Sequence, residues 1–407
     1  MNDAQRLFLQ ILSLALQDKQ LPPEEYAAST WHEVLELAQL HSLLPVVLHA
    51  AGSVPSLTAL PDAELYRKRG RRHVVLQVMK TRAFLALYSR LTEQGLRPLV
   101  VKGLICRSLY PQGDLRLSSD EDILIEPQQV ELCHSVMVSC GLTTEMPAEQ
   151  RQTAQEITYV QPGGGLRVEV HTRLFPPEAA AYGHWNGWFA QAGENAVVHR
   201  ENGQNIYTLG HTEHLLYLLC HAFKHFLHSG FGIRQVCDIL LYTRAWGREI
   251  DWVQVRRACS QIRAEGFVAA LYRLGKNHLA IDSVSAGFPA EWLAAAQEET
   301  ALLEDLLSGG VYGGATMSRR HSSNITLQAA APAGKDRGGL RRSLFPPAEA
   351  LCGRYPYLQK HAWLLPAAWV QRVVRYGRET VGGDVLEAAR IGRQRTQLLR
   401  QYGVIDG

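Results

Sequence analysis

The spacing of apolar residues predicts that the chain begins with several helices. Leu7, Ile11 and Leu14 recur at helical intervals, and apolar residues follow the same period from Phe84 to Leu91. Prolines interrupt the pattern between these stretches, so that one continuous helix is excluded. We therefore predict an N-terminal helical segment over residues 1–95.

After residue 95 the pattern changes to short runs of strand character. These runs lie at residues 99–101, 123–125, 157–161 and 166–171. The turn Pro162–Gly165 predicts a hairpin between the last two runs, and Asn202-Gly203 predicts a second hairpin downstream. Helices are expected after Gly103 and over 128–140. The sequence thus predicts a mixed α/β core over residues 96–210.

Helical periodicity returns beyond this core. Thr212 is a predicted N-cap, and the following pattern gives a helical domain over 211–308. Residues 309–345 are rich in Gly, Ser, Ala and Arg and are expected to form a mobile loop. Together with a basic helical stretch they make up the last segment, 309–407. The predicted class is α+β, a small mixed sheet flanked by helical segments.

Two carboxylates mark the strand that begins near residue 120. Asp120 and Asp122 are two residues apart, so the alternation of a strand points both side chains to one face. Like charges this close repel each other unless a cation lies between them, which favours a divalent metal site. Glu169 supplies a third carboxylate. It shares one face of its strand with Arg167 and His171, while Val168 and its apolar neighbours take the other.

These residues resemble a known family. The order Lys102-Gly103, Arg116, Asp120-x-Asp122 and then Val168-Glu169-Val170-His171 is similar to that of uncharacterised bacterial nucleotidyltransferases of the DNA polymerase β superfamily. The stretch from His214, GGVYGG from Gly309, and LFPPAEAL with LLPAAW also resemble that family. Two positions depart from it: Lys102-Gly103-Leu104 replaces a turn with Gly-Ser or Gly-Gly, and Glu169 stands where Asp is usual.

The resemblance implies a Mg²⁺-dependent transfer of a nucleoside monophosphate from a nucleoside triphosphate to an acceptor hydroxyl, with release of pyrophosphate. Asp120, Asp122 and Glu169 would bind two Mg²⁺ ions, with Mn²⁺ as the alternative ion, and Glu169 would be the general base. Backbone N–H groups after Gly103 would contact phosphate. The predicted nucleotide-contacting residues are Lys102, Gly103, Arg116, Ser118, Ser119, His171, His221, Lys224, Arg234 and Asp238.

Composition and charge indicate the location and the partners that we expect for this protein. The longest apolar runs fall far short of the roughly 18 residues that a membrane span needs, and no secretory signal is visible. Seven scattered cysteines without a C-x-x-C pair favour reduced thiols in the cytoplasm. Residues 315–407 hold 15 Lys or Arg against 6 Asp or Glu, but no aromatic-basic motif accompanies them, so nucleic acid is not an expected partner. The oligomeric state and the acceptor, a small molecule or a protein, stay open.

Other interpretations use the same residues. His214, His221, His225 and His228 share a helix face and allow a zinc site, although Lys224 beside them would repel a cation. Asp120 and Asp122 could merely cap a turn, and Lys102 and Arg116 could form structural ion pairs with these same aspartates. The chain could also be a nucleotide-binding or antitoxin-like module without turnover, or a small-molecule phosphotransferase that releases a nucleoside diphosphate.

Overall fold

The computed structural model describes residues 1–179, 181–228, 230–310, 351, 355, 357–371 and 384–405. Within these residues a six-stranded mixed sheet lies among helices, which confirms the predicted α+β class. The strands are β1 Leu99–Val101, β2 Glu121–Leu124, β3 Glu156–Val160, β4 Arg167–His171, β5 Val197–Glu201 and β6 Gln204–Thr208.

The described helices precede, interrupt and follow this sheet. They are α1 Asp3–Ala15, α2 Ala28–Leu40, α3 Leu44–Ala51, α4 Pro55–Thr58, α5 Ala63–Glu93, α6 Gly103–Arg107, α7 Val130–Ser139, α8 Ala148–Arg151, α9 His211–Leu227, α10 Ile233–Trp246, α11 Trp252–Gln261, α12 Glu265–His278, α13 Ala290–Ala294, α14 Thr300–Gly309, α15 Tyr357–Lys360 and α16 Asp384–Gln401. The helix predicted over 128–140 begins as a 3₁₀ turn at Pro127–Gln129 and continues as α7.

The strand order is β3-β4-β2-β1-β6-β5. Both predicted hairpins, β3 with β4 and β5 with β6, are confirmed as antiparallel pairs. At the second turn Asn202 and Gly203 have φ values of 48° and 81°, and Asn and Gly adopt this left-handed region most readily. β2 pairs with β1 antiparallel and with β4 parallel, and these two pairings join segments that are distant in sequence.

One apolar cluster connects most of the described chain, from Ala4 in α1 to Val404 after α16. The predicted N-cap Thr212 is wrong: α9 begins at His211 after Gly210, and the Thr212 hydroxyl accepts a hydrogen bond from the backbone N–H of Asp251 at 2.9 Å. Most of the predicted loop 309–345 lies outside the described residues.

Among the described helices, none is both long enough and apolar enough to cross a lipid bilayer.

Candidate active site

Two parallel strands bring the predicted acidic residues together. Asp122 on β2 is directly paired with Glu169 on β4, and Leu124 is paired with His171 two positions further on. Side chains of directly paired residues leave the sheet on the same face, about 5 Å apart. As the alternation predicted, Val168 and Val170 are buried on the opposite face. The register therefore places two carboxylates and one imidazole side by side.

Asp122, Glu169 and His171 form a group that can hold a metal ion, because one ligand atom from each lies within 4.8 Å of the others. His171 Nε2 lies 3.1 Å from Asp122 Oδ1. Asp120 immediately precedes β2 and lines the same cavity without joining this group. Burial, and then the charges of Asp120 and Asp122, raise the pKa of Glu169. Such repulsion among carboxylates is what a bound divalent cation would relieve, so the donor set fits a divalent metal ion.

Lys102 occupies the turn between β1 and α6. Its backbone has φ 56° and ψ −117°, a conformation that residues other than glycine rarely adopt. Its backbone N–H donates to His214 Nε2 at 3.3 Å. The other ring nitrogen of His214 lies 3.0 Å from the Thr208 hydroxyl, which donates to the carbonyl of Val100. Burial lowers the pKa of His214 to about 3, so the ring is neutral and its Nε2 can accept. A helix and two strands thus hold the strained turn.

The Lys102 ammonium points at the carboxylates. Its Nζ lies 3.0 Å from Asp122 Oδ1 and 3.3 Å from His221 Nε2. Burial favours the neutral amine, but the charges of Asp122 and Asp120 outweigh it and raise the pKa of Lys102. Burial likewise opposes ionisation of Asp122, yet Lys102 and His171 bring its pKa down to about 2. Both groups are therefore charged at neutral pH.

Gly103 is required by a buried ion pair behind the site. Glu121, between the two aspartates, points to the opposite face, pairs with Arg107 and accepts the N–H of Leu104 at 2.9 Å. A Cβ on Gly103 would lie 2.1 Å from Glu121 Oε2. The expectation that backbone donors after Gly103 contact phosphate is thus wrong for Leu104, whose N–H Glu121 already binds.

The loop before β2 is fastened on both sides. Arg116 donates to both carboxylate oxygens of Asp238 on α10, at 3.1 and 2.6 Å, and Tyr110 donates to the same carboxylate. Arg234 donates to the carbonyl of Leu117. The backbone N–H of Ser118 donates to Gln77 on α5 at 2.8 Å. The structural interpretation of Arg116, an ion pair, is therefore observed, although its partner is Asp238.

A cavity of about 510 Å³ unites these elements. Its acidic side is formed by β2 and β4, and the facing side by α9 and α10. All thirteen residues nominated from the sequence line it: Lys102, Gly103, Arg116, Ser118, Ser119, Asp120, Asp122, Glu169, His171, His221, Lys224, Arg234 and Asp238. A residue that lines the cavity does not thereby have the role assigned to it, so each of these roles stays a prediction.

Among the residues that the structure describes, no group of three or more possible metal ligands contains the histidines of α9. His221 and His225 have their Nε2 atoms 3.3 Å apart, while His228 Nε2 contacts the Tyr182 hydroxyl. Burial, and then the charge of Lys102, lower the pKa of His221 and of Lys224. This wall therefore presents neutral imidazoles and a half-buried ammonium to the acidic side.

Sequence reasoning missed several residues that shape the cavity. Glu121 had a visible signal, since an acid on the apolar face of a strand requires a buried cation. Gln235 on α10 had none. It lines the cavity, and its Oε1 is buried without a hydrogen-bond partner among the described residues, so a bound ligand could supply the missing donor.

Comparison with known proteins gives one family. The model of a family described as uncharacterised nucleotidyltransferase matches residues 27–279, which include the whole sheet and the helices that face it. No curated protein and no solved structure matches the chain. Because the match spans more than half of the sequence and contains the cavity just described, the chain belongs to this nucleotidyltransferase family.

Proposed function

We propose that this protein is a Mg²⁺-dependent nucleotidyltransferase that moves a nucleoside monophosphate from a nucleoside triphosphate to an acceptor hydroxyl. The observation that carries the proposal is the direct pairing of Asp122 with Glu169 across parallel strands, beside the ammonium of Lys102. Membership in the nucleotidyltransferase family supports a nucleotide as the substrate. Mn²⁺ is the alternative ion, and the acceptor is a small molecule or a protein.

The position of each residue in the cavity suggests its role. Asp122 and Glu169, with Asp120 and His171, would hold the metal, which supplies positive charge at the phosphates and acidifies the attacking hydroxyl. Lys102 would exchange part of its contact with Asp122 for a phosphate oxygen. Lys224, Arg234 and Ser119 would bind the remaining phosphate oxygens, whereas the hydroxyl of Ser118 already donates to Glu121 at 3.3 Å.

Glu169 is the proposed base. Its pKa is raised by burial and by Asp120 and Asp122, and a more basic carboxylate takes a proton more readily. The acceptor oxygen forms a bond to the α-phosphorus, its proton passes to Glu169, and the bond to the bridging oxygen breaks. Pyrophosphate leaves with the electron pair of that bond.

Two further observations support a cytoplasmic location and an acceptor other than nucleic acid. All six cysteines that the structure describes are free thiols, which supports a reducing compartment and hence the cytoplasm. The cavity also lacks a stacked row of exposed aromatic side chains along its described lining, which supports an acceptor other than nucleic acid.

Position-specific labels separate the alternatives. The protein is incubated with Mg²⁺, an extract of the source cells and a triphosphate labelled at the α- or the γ-phosphorus. We expect the α-label on an acceptor and the γ-label in pyrophosphate. Transfer of the γ-label to the acceptor would instead establish a phosphotransferase, and binding without transfer would establish a module without turnover. Asp122→Asn should abolish transfer, whereas Glu126→Gln, an exposed carboxylate outside the cavity, should leave it unchanged.

A further inference from the structure

The long helix α5 exposes an apolar patch in the middle of its outer face. Val75, Leu76 and Met79 are 57%, 41% and 60% exposed, respectively. Gln77, Thr81 and Phe84 are buried on the inner face of the same helix. Single exposed aliphatic side chains are ordinary, but three within five residues of one helix form a contiguous patch of the kind that marks interaction sites.

The charge around this patch is mostly positive, and the acid on the same helix before it, Glu64, pairs with Arg67 and Arg71. Residues 67–82 contain seven Lys or Arg and no Asp or Glu. At helical spacing Lys68, Arg72, Val75, Met79 and Arg82 follow one another along one stripe, about 21 Å long at 1.5 Å per residue. Lys68, Arg72 and Arg82 are exposed at the two ends of this stripe. We name these five residues with Leu76 the α5 stripe.

Helix α5 also supports the candidate site. On its inner side Gln77 accepts the backbone N–H of Ser118, and Lys80 donates to the carbonyl of Ser118 at 3.3 Å. Ser118 lines the cavity. A partner lying along the α5 stripe would therefore lie on the helix that fixes the loop before β2.

We propose that the α5 stripe binds an acidic amphipathic helix of a partner protein. An apolar centre with charged ends is the arrangement of a protein–protein interface, in which Met and Arg are enriched. The cations select acidic flanks on the partner by charge complementarity. A second copy of this chain would place cation against cation, because a two-fold contact brings the same surface of both copies together.

Two other classes of partner fit less well. Helices that lie on membranes carry Trp, Phe or Leu anchors on one face and Lys or Arg on the opposite face. The α5 stripe instead combines Lys68, Arg72 and Arg82 with its aliphatic residues along one stripe, and none of the exposed side chains of α5 is aromatic. Single-stranded nucleic acid is bound by stacking on aromatic rings. The α5 stripe has neither separate apolar and basic faces nor an exposed aromatic ring.

Fluorescence anisotropy with a designed peptide tests the proposal. The probe is a stapled helix with leucines on one face and glutamates on both flanks. We expect it to bind the full chain, and Val75→Ser combined with Met79→Ser, or Arg72→Glu alone, to weaken binding at least about tenfold, as loss of interface anchors does. Val253→Ser is the matched control, since Val253 is an aliphatic residue on α11 that is 80% exposed. It should leave binding unchanged.

The controls on the probe decide between partner classes. A peptide with lysine in place of glutamate, and one with serine in place of leucine, should not bind. The labelled methyl group of Met79 should shift in NMR spectra on addition of the acidic peptide, while that of the buried Met137 should not. Equal binding by the wild type and the stripe variants would overturn the proposal. The proposal would also be overturned if the wild type bound phosphatidylglycerol vesicles or a single-stranded RNA more tightly than the peptide and the stripe variants lost that binding.

Discussion

At the scale of single residues, the candidate site depends on one strand that carries acids on both faces. Asp122 faces the cavity, and Glu121 faces the interior, where Arg107 neutralises it. Glu121 fills the space in which residue 103 would need a side chain. The requirement for glycine in the turn is therefore steric, and it comes from the interior of the protein.

Gly103→Ala should lower the free energy of unfolding by about 1–3 kcal/mol, the usual cost of an added methyl group in a packed site. The new Cβ must displace Glu121 from its position beside Arg107. Urea denaturation measures the change. Gly193→Ala is the control, because nothing lies within 4 Å of a Cβ there. Equal stability of the Gly103 variant and the wild type would contradict the steric account.

Alternation predicted which residues share a face within each strand, Asp120 with Asp122 and Glu169 with His171, but the register that places Asp122 beside Glu169 comes from the pairing of β2 with β4. Alternation also could not predict the partners that hold the turn at Lys102. His214 lies 112 residues further along the chain, and its contact with Lys102 arises only when α9 packs against the sheet. Local patterns carry no information on such contacts, because they depend on how distant elements pack.

At the scale of elements, the loop before β2 is joined to α10 by the pair Arg116–Asp238. Both side chains are 5% exposed, and two hydrogen bonds connect them. Charges buried this deeply are costly unless each is paired. The pair therefore fixes the loop that carries Ser118, Ser119 and Asp120 into the cavity.

Removing one partner of this pair should destabilise more than removing both. Arg116→Met or Asp238→Leu alone leaves an uncompensated buried charge and should cost about 3–5 kcal/mol. The double variant should cost less than the sum of the two single variants, since no charge is left unpaired. Unfolding free energies of the four proteins form the cycle. Additive losses would show that the two side chains act independently.

Elements with local turn chemistry were predicted well. Both hairpins follow from Gly- and Asn-rich turns, and the helices from their period. The order of the strands was not predicted, because the parallel pairing of β2 with β4 joins residues 47 apart. The wrong cap at Thr212 has a similar cause: its hydroxyl binds Asp251, a residue distant in sequence.

At the scale of the whole molecule, the N-terminal helices share their core with helices from the end of the family match and beyond. His41, at the end of α2, is fully buried, stacks on Phe8 and bonds the carbonyl of Leu307 in α14 through Nε2. Its Nδ1 has no partner among the described residues. Burial lowers the pKa of His41 to about 4. The boundaries of the four predicted segments stay a prediction.

His41 should make the protein sensitive to acid. Its pKa is near 6.5 in the unfolded chain and about 4 in the folded one, so between these values only the unfolded state takes up a proton. Its contribution to stability is complete above pH 6.5 and falls by about 2 kcal/mol between pH 7.5 and pH 5. His41→Gln should remove that part of the loss. Urea denaturation at the two pH values measures it, with the exposed His184→Gln as control. An unchanged loss in the His41 variant would show that protonation occurs elsewhere.

The central claim is that Asp122 and Glu169 hold a divalent cation together with a triphosphate. The most direct measurement needs no acceptor: electron paramagnetic resonance of free Mn²⁺ during titration with protein and a nucleoside triphosphate. The wild type should bind Mn²⁺, and Asp122→Asn and Glu169→Gln should each bind it at least about tenfold more weakly, while Glu126→Gln should match the wild type. Wild-type affinity in both cavity variants would contradict the account.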